Sequence, residues 1–205
     1  GFVNNDSNGL GIYRSNSTSV KIVPLKSGAL DDGTAVDLGN STARFKDLYL
    51  SGGVYLGGTD SANLLDDYEH GSWTPTADFA TTSPTSGATT GTGRYTKVGN
   101  VVTVWGTISN FNVTGAGGDL NITSLPFLAR VAANLQRYNG VIRFTNCDFS
   151  IFTDPIQVNS QVLDNSSVVT AVITRNDLGS DSVGASALTD GTSDVNFTLT
   201  YETAT

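Results

Sequence analysis

The sequence predicts an all-β chain ending in an antiparallel, jelly-roll-like β-sandwich, and three observations predict it. Short runs rich in Val, Ile, Thr, Tyr and Phe recur at roughly even spacing from residue 94 onward, with turn residues between them and no long helical pattern. Charged residues make up only 15% of the chain, against roughly 25% in an average globular protein, and Ser, Thr, Asn and 23 glycines cover the surface instead. In "DVNFTLTYE" (194–202), Val195, Phe197, Leu199 and Tyr201 alternate with Asn196, Thr198, Thr200 and Glu202, the pattern of a strand with one wet face.

Residues 1–35 alternate short apolar runs with turns: "LGIYR", "SVKIVPL" and "DDGTAVDLG". Residues 20–25, "VKIVPL", have the β-branched content of a strand, and Pro24, which cannot donate to a ladder, demotes it to an edge or an end. In "DLGNSTARFKDLYLSGGVYLGG" (37–58), Asn40 or Ser41 is placed to N-cap a short helix through Tyr49, with Phe45 and Leu48 on one face. Ser51-Gly52-Gly53 reads as a turn between two very short strands, "LYL" (48–50) and "VYL" (54–56). Such pieces are rich in apolar side chains, yet an isolated two-stranded hairpin is marginal in water. The simplest partner for them is another copy of the same chain.

A helical joint is expected over about 61–70, with Asp60 or Ser61 as N-cap, Leu64, Leu65 and Tyr68 as its apolar stripe, and Gly71 as a left-handed cap. Residues 73–93 are mostly Thr, Ser, Gly and Pro and read as a loop or loosely held edge strand. The expected organisation is therefore a shaft end with its joint over 1–70 and a sandwich tip over 71–205.

Within the tip, strands are expected in "RYTKVGNVVTVWGTISNF" (94–111, split by a Gly-Asn turn), "DLNITSLPF" (119–127), "YNGVIRFTNCDF" (138–149), "PIQVNSQVLDN" (155–165), "SVVTAVITRN" (167–176) and "DVNFTLTYET" (194–203). Some are apolar on both faces. Val102, Val104 and Ile108 share one side of 101–111, while Val101, Trp105 and Phe111 share the other. A strand apolar on both faces is buried on both, and a subunit interface is the expected cover for the second.

Composition excludes several functions. Net charge is −8 and no Lys/Arg cluster occurs, so nucleic acid is not an expected partner. Cys147 is the only cysteine, which rules out an intrachain disulfide, and it reads as a buried inert thiol. No apolar run approaches the ~18 residues of a membrane span, so membrane insertion is not expected. The chain has no Met, and Gly1 reads as the start of a fragment or processed product.

Catalysis is not expected either. Glycan cleavage needs paired carboxylates, and the two Glu residues, Glu69 and Glu202, fall in the joint and on the wet face of the last strand. The Asp residues sit in turns such as "DDG" (31–33) and "NDLGSDS" (176–182), where they favour Asx-turns; neither follows the spacing of a Ca²⁺ loop. His70 is the only histidine and reads as a solvated cap at a helix end, so no metal or other cofactor is assigned. Trp105 lies mid-strand and reads as core or interface, and Trp73 as packing where joint meets tip. Tyr138 and Phe152, read as exposed in loops, are the candidates for stacking on a sugar.

In order and spacing, "DLGNSTARFKDLYLSGGVYLGG", "LLDDYEHGSWTPT", "GRYTKVGNVVTVWGTIS", "LNITSLPF" and "VNFTLTY" resemble the C-terminal part of bacteriophage tail fibre proteins, in particular those of phages infecting marine bacteria, cyanobacteria among them. The likeness runs from about residue 20 to the C-terminus. It implies a homotrimer with a short intertwined shaft and a globular sandwich tip, located on the virion and exposed to the extracellular medium. It also implies attachment to a host cell-surface glycan or outer-membrane component, and a link to other tail proteins through a segment preceding this one. Around a threefold axis, Phe45, Leu48, Leu50, Val54, Leu56, Leu64, Leu65 and Tyr68 would form the trimer interface. Nothing in the chain resembles the self-cleaving chaperone domain that ends many related fibres, so trimerisation without one is expected. Between 128 and 190 the likeness is in outline only, and receptor contacts would differ there. The alternatives are a purely structural fibre or baseplate element and a short glycan depolymerase.

Overall fold

The computed structural model of the chain describes residues 9–14, 20–27, 29–30, 36–131, 137–150, 156–175 and 179–204. They are almost all β, with helix confined to two single 3-10 turns. The chain divides between Ser51 and Gly52 into two compact units.

In the first unit, β1 (Gly9–Arg14), β2 (Val20–Lys26) and β3 (Ala29–Leu30) form an antiparallel sheet with β2 in the middle. Pro24 therefore lies in a central strand rather than an edge. The sheet tolerates it because β3 pairs only with Leu25 and Lys26, leaving that flank of Pro24 without a ladder. The helix expected from Asn40 to Tyr49 is absent. Its cap chemistry is present: Asn40 Oδ1 accepts from the Thr42 N–H at 2.9 Å and the Ala43 N–H at 2.7 Å. One capped turn cannot propagate, because a helix so short needs a packed face to offset its nucleation cost.

The second unit opens with β4 (Val54–Tyr55), which pairs with β5 (Leu64–Leu65) and not with residues 48–50. The loop between them is closed by Asn63: its carbonyl accepts the Leu56 N–H, and its Nδ2 donates to the Leu56 carbonyl, both at 2.9 Å. This pairing also replaces the helical joint over about 61–70. Only Ser61–Asn63 is helical, as one 3-10 turn, and Leu64 and Leu65 are extended in β5. Gly71 is no cap; it lies inside β6 (Tyr68–Trp73).

The rest is one large curled antiparallel sheet. Its further strands are β7 (Thr76–Phe79), β8 (Thr89–Thr90), β9 (Thr92–Val98), β10 (Val101–Ile108), β11 (Leu120–Thr123), β12 (Arg137–Thr145), β13 (Ile156–Leu163), β14 (Val169–Arg175), β15 (Gly179–Ser182) and β16 (Asp194–Glu202). Neighbours run β6-β9-β10-β16-β12-β13-β14-β11-β7-β8, with β15 beside β14. The sheet closes over a single core, in which Val102, Val104 and Ile108 of β10 join Val169, Ala171 and Ile173 of β14. The fold is thus all-β and sandwich-like.

Local chemistry explains several elements. Gly99, at φ +56°, and Asn100 make the two-residue turn between β9 and β10, where a positive φ matches the twist of the strands. Gly93 and Gly106 are cross-strand neighbours on the inner face, and a Cβ at either would run into Trp73 or Phe197 respectively. The two rings meet edge to face at 6.1 Å over the space those glycines leave. Trp73 therefore belongs to the sandwich core. Residues 73–93, expected to be loose, supply β7, whose Ala77 and Phe79 are buried. Phe111, expected beside Trp105, is buried in the core instead: Asn110 adopts φ +57° after β10 ends and resets the alternation.

Candidate functional site

Apolar side chains are distributed unevenly. Among the described residues, every buried apolar side chain lies at Trp73 or beyond, whereas twelve of the nineteen exposed large apolar residues lie at Tyr68 or before. In the first unit, Ile22, Leu38, Phe45 and Leu48, together with Asn40 and Arg44, line a groove of about 790 Å³. Phe45 and Leu48 are each 65% exposed, and Leu50 is exposed beside them. In the second unit, Val54, Leu56 and Tyr68 are exposed and Leu64 and Leu65 half-buried. All eight residues expected at a trimer interface are thus at least partly accessible on a single chain.

A second surface lies on the outer face of the large sheet. Trp105 stands in the middle of β10 and is 46% exposed. Register places it opposite Arg94 of β9 on one side and Thr198 of β16 on the other. Ser72 extends the row beyond Arg94, and Val141 extends it beyond Thr198. One depression, of about 480 Å³, lies towards Thr92, Thr107 and Asn196; the other, of about 570 Å³, lies towards Tyr68, His70 and Thr96. Trp105 and Arg94 line both. Thr107 donates its hydroxyl hydrogen to Asn196 Oδ1 over 2.8 Å, which holds that amide in one orientation.

The stacking candidates fare differently. Tyr138 is buried, its ring edge-on to Tyr201 at 6.3 Å, and burial pushes its hydroxyl pKa up, with the Glu202 charge adding to the shift. It offers no open face to a sugar, because its position in β12 turns it inward. Phe152 lies outside the described residues. Trp105, read as core or interface, is instead an aromatic that the sheet leaves accessible in mid-strand, with Tyr68 exposed on β6.

His70 sits in β6, with its ring 6.0 Å from that of Tyr68, rather than at a helix end. Glu202 pairs with Arg130 at 3.1 Å, and Glu69 accepts from Tyr95, which raises the Tyr95 pKa. Each Glu is engaged in a structural contact. Cys147 is half-buried in a bridge to Leu188, and burial raises its thiol pKa, so it is poorly disposed to react. Among the described residues no group of three His, Cys, Asp or Glu side chains is placed to hold a metal. The Asp residues at 31, 32 and 177 fall outside the described residues.

Compared with protein families, curated proteins and solved structures, the chain matches none of them.

Proposed function

We propose that the chain is the distal part of a bacteriophage tail fibre, which recognises and attaches to the host cell surface as a homotrimer by multivalent binding of a surface glycan. One observation carries the reading: the described residues before Trp73 leave twelve large apolar side chains exposed and contribute none to the core. Burial between chains would recover about 25 cal/mol for each Å² of that surface. It would also give these short elements the packed face they lack as single chains.

The tip supports attachment rather than catalysis. Its outer face is built from Thr, Asn and Ser around one accessible tryptophan, a combination that hydrogen-bonds hydroxyl-rich ligands and stacks on them. Three such faces on one fibre, and several fibres on one particle, turn weak sites into firm attachment.

The test is cell labelling. The fluorescently tagged chain is applied to a panel of bacteria before and after mild periodate oxidation of their surface sugars. Labelling of a narrow set of strains that oxidation abolishes is expected. Labelling of no strain, or labelling indifferent to oxidation, would contradict glycan attachment.

A further inference from the structure

We infer that the Trp105–Arg94 pair on the outer sheet face is the saccharide subsite and that it selects sugars carrying a carboxylate; the inference rests on the glycan-binding reading above. A pyranose ring presents a C–H face to an indole and hydroxyls at its rim, so it needs an accessible aromatic ringed by short polar side chains. Trp105 is that aromatic, 46% exposed in mid-strand, with Thr107 and Asn196 on one side and His70 and Thr96 on the other. Because Trp105 and Arg94 line both depressions, a chain of sugars can cross the pair and rest one residue in each.

The charge on this face names the ligand class. The chain carries −8 overall, and among the described residues Arg94, like Arg44, Arg137 and Arg143, makes no ion pair with Asp or Glu, so its charge is available to a ligand. An unpaired guanidinium beside the stacking ring offers two parallel N–H donors, the geometry that suits a carboxylate. Thr107 already holds Asn196 Oδ1, which leaves the Asn196 Nδ2 hydrogens for a sugar hydroxyl. A neutral sugar would use the ring and the amide and leave Arg94 idle.

The experiment uses the full chain in its native oligomeric state. Oligomers of galacturonic, glucuronic and mannuronic acid, and sialyllactose, are titrated beside their carboxyl-reduced counterparts, with binding read by calorimetry and tryptophan emission. At least one acidic oligomer is expected to bind roughly tenfold or more tightly than its reduced form. Arg94→Gln should remove that preference while leaving the weaker neutral binding, and Trp105→Ala should abolish both. Acrylamide should quench wild-type emission and spare the Trp105→Phe variant, in which the buried Trp73 alone remains.

Equal binding of acidic and reduced forms, or no binding of any of them by a chain that labels cells in a periodate-sensitive way, would overturn the subsite while leaving the attachment reading standing. Trp105 shielded from acrylamide in the oligomer would assign this face to a second copy and overturn it too. Failure of cell labelling as well as of sugar binding would remove the attachment reading itself.

Discussion

Tyr201 donates its hydroxyl hydrogen to the main-chain oxygen of Phe127 over 2.9 Å, tying the last strand of the large sheet to the segment that follows β11. The Phe127 ring packs edge-on against Tyr95 at 5.4 Å, and the ammonium of Lys97 lies 5.5 Å from its centre. Lys97 itself is buried and pairs with Asp67. This corner therefore joins β16, β9 and the segment after β11 through one carbonyl and one ring.

Tyr201→Phe leaves the Phe127 carbonyl without its donor and should cost about 1–3 kcal/mol at neutral pH. Burial raises the Tyr201 pKa from its ordinary 10.0. A raised folded-state pKa gives no pH dependence below the unfolded value and loses stability as pH climbs through the folded one. Wild-type stability should then fall above about pH 10, by up to ~1.4 kcal/mol per pH unit for each such tyrosine. The gap to the variant should narrow there, which chemical denaturation from pH 7 to 11 would measure.

Gly106→Ala places a methyl group inside the Phe197 ring. The ring cannot retreat, because Trp73 meets it edge to face at 6.1 Å. A loss of about 1–3 kcal/mol in thermal or denaturant unfolding is expected, with blue-shifted Trp73 emission lost as the ring is pushed aside.

Asp190 holds the turn before β16 to the loop after β10: its Oδ1 accepts the Val113 N–H at 2.7 Å and the Thr114 N–H at 3.2 Å. The Val113 N–H above all, with Thr114 behind it, lowers the Asp190 pKa below its ordinary 3.8. That stabilisation is present above the ordinary value and disappears as pH falls through the lowered one. Asp190→Ala should therefore melt below the wild type at neutral pH, and the difference should close in strong acid.

Much of the tip was legible because its strands carry their own signals. The alternation in 194–203 and the Gly-Asn turn at 99–100 predict β16 and the β9–β10 hairpin within a residue or two, and the structure has them. What escaped depended on partners distant in sequence. "TADF" has two apolar residues and reads as loop, but pairing with β11 turns Ala77 and Phe79 into core. "LLDDYEHG" spaces its apolar residues as a helix would, yet pairing with Val54–Tyr55 and β9 draws it out into strands. Asn40 shows the converse: its side chain makes the cap bonds, but among the described residues no packed face carries the expected helix beyond them. The exposed face around Trp105 was invisible for a related reason, since a strand apolar on both sides looks the same whether its second side meets a neighbour or a ligand.

Leu48→Asp and Phe45→Ser alter side chains of the first unit that a single chain leaves 65% exposed. Each should weaken self-association at least tenfold, since full burial of such a side chain is worth about 1.5–3 kcal/mol. Trp73 and Trp105 both lie in the second unit, so tryptophan emission should be unchanged if only assembly is lost.

Sedimentation equilibrium of the purified chain at low micromolar concentration tests the central claim most directly. Exposed apolar side chains from Ile22 to Tyr68 that no single chain covers predict self-association, and the resemblance to tail fibres sets the expected species at three times the 21.4 kDa chain mass. Well-folded single chains at that concentration would contradict it.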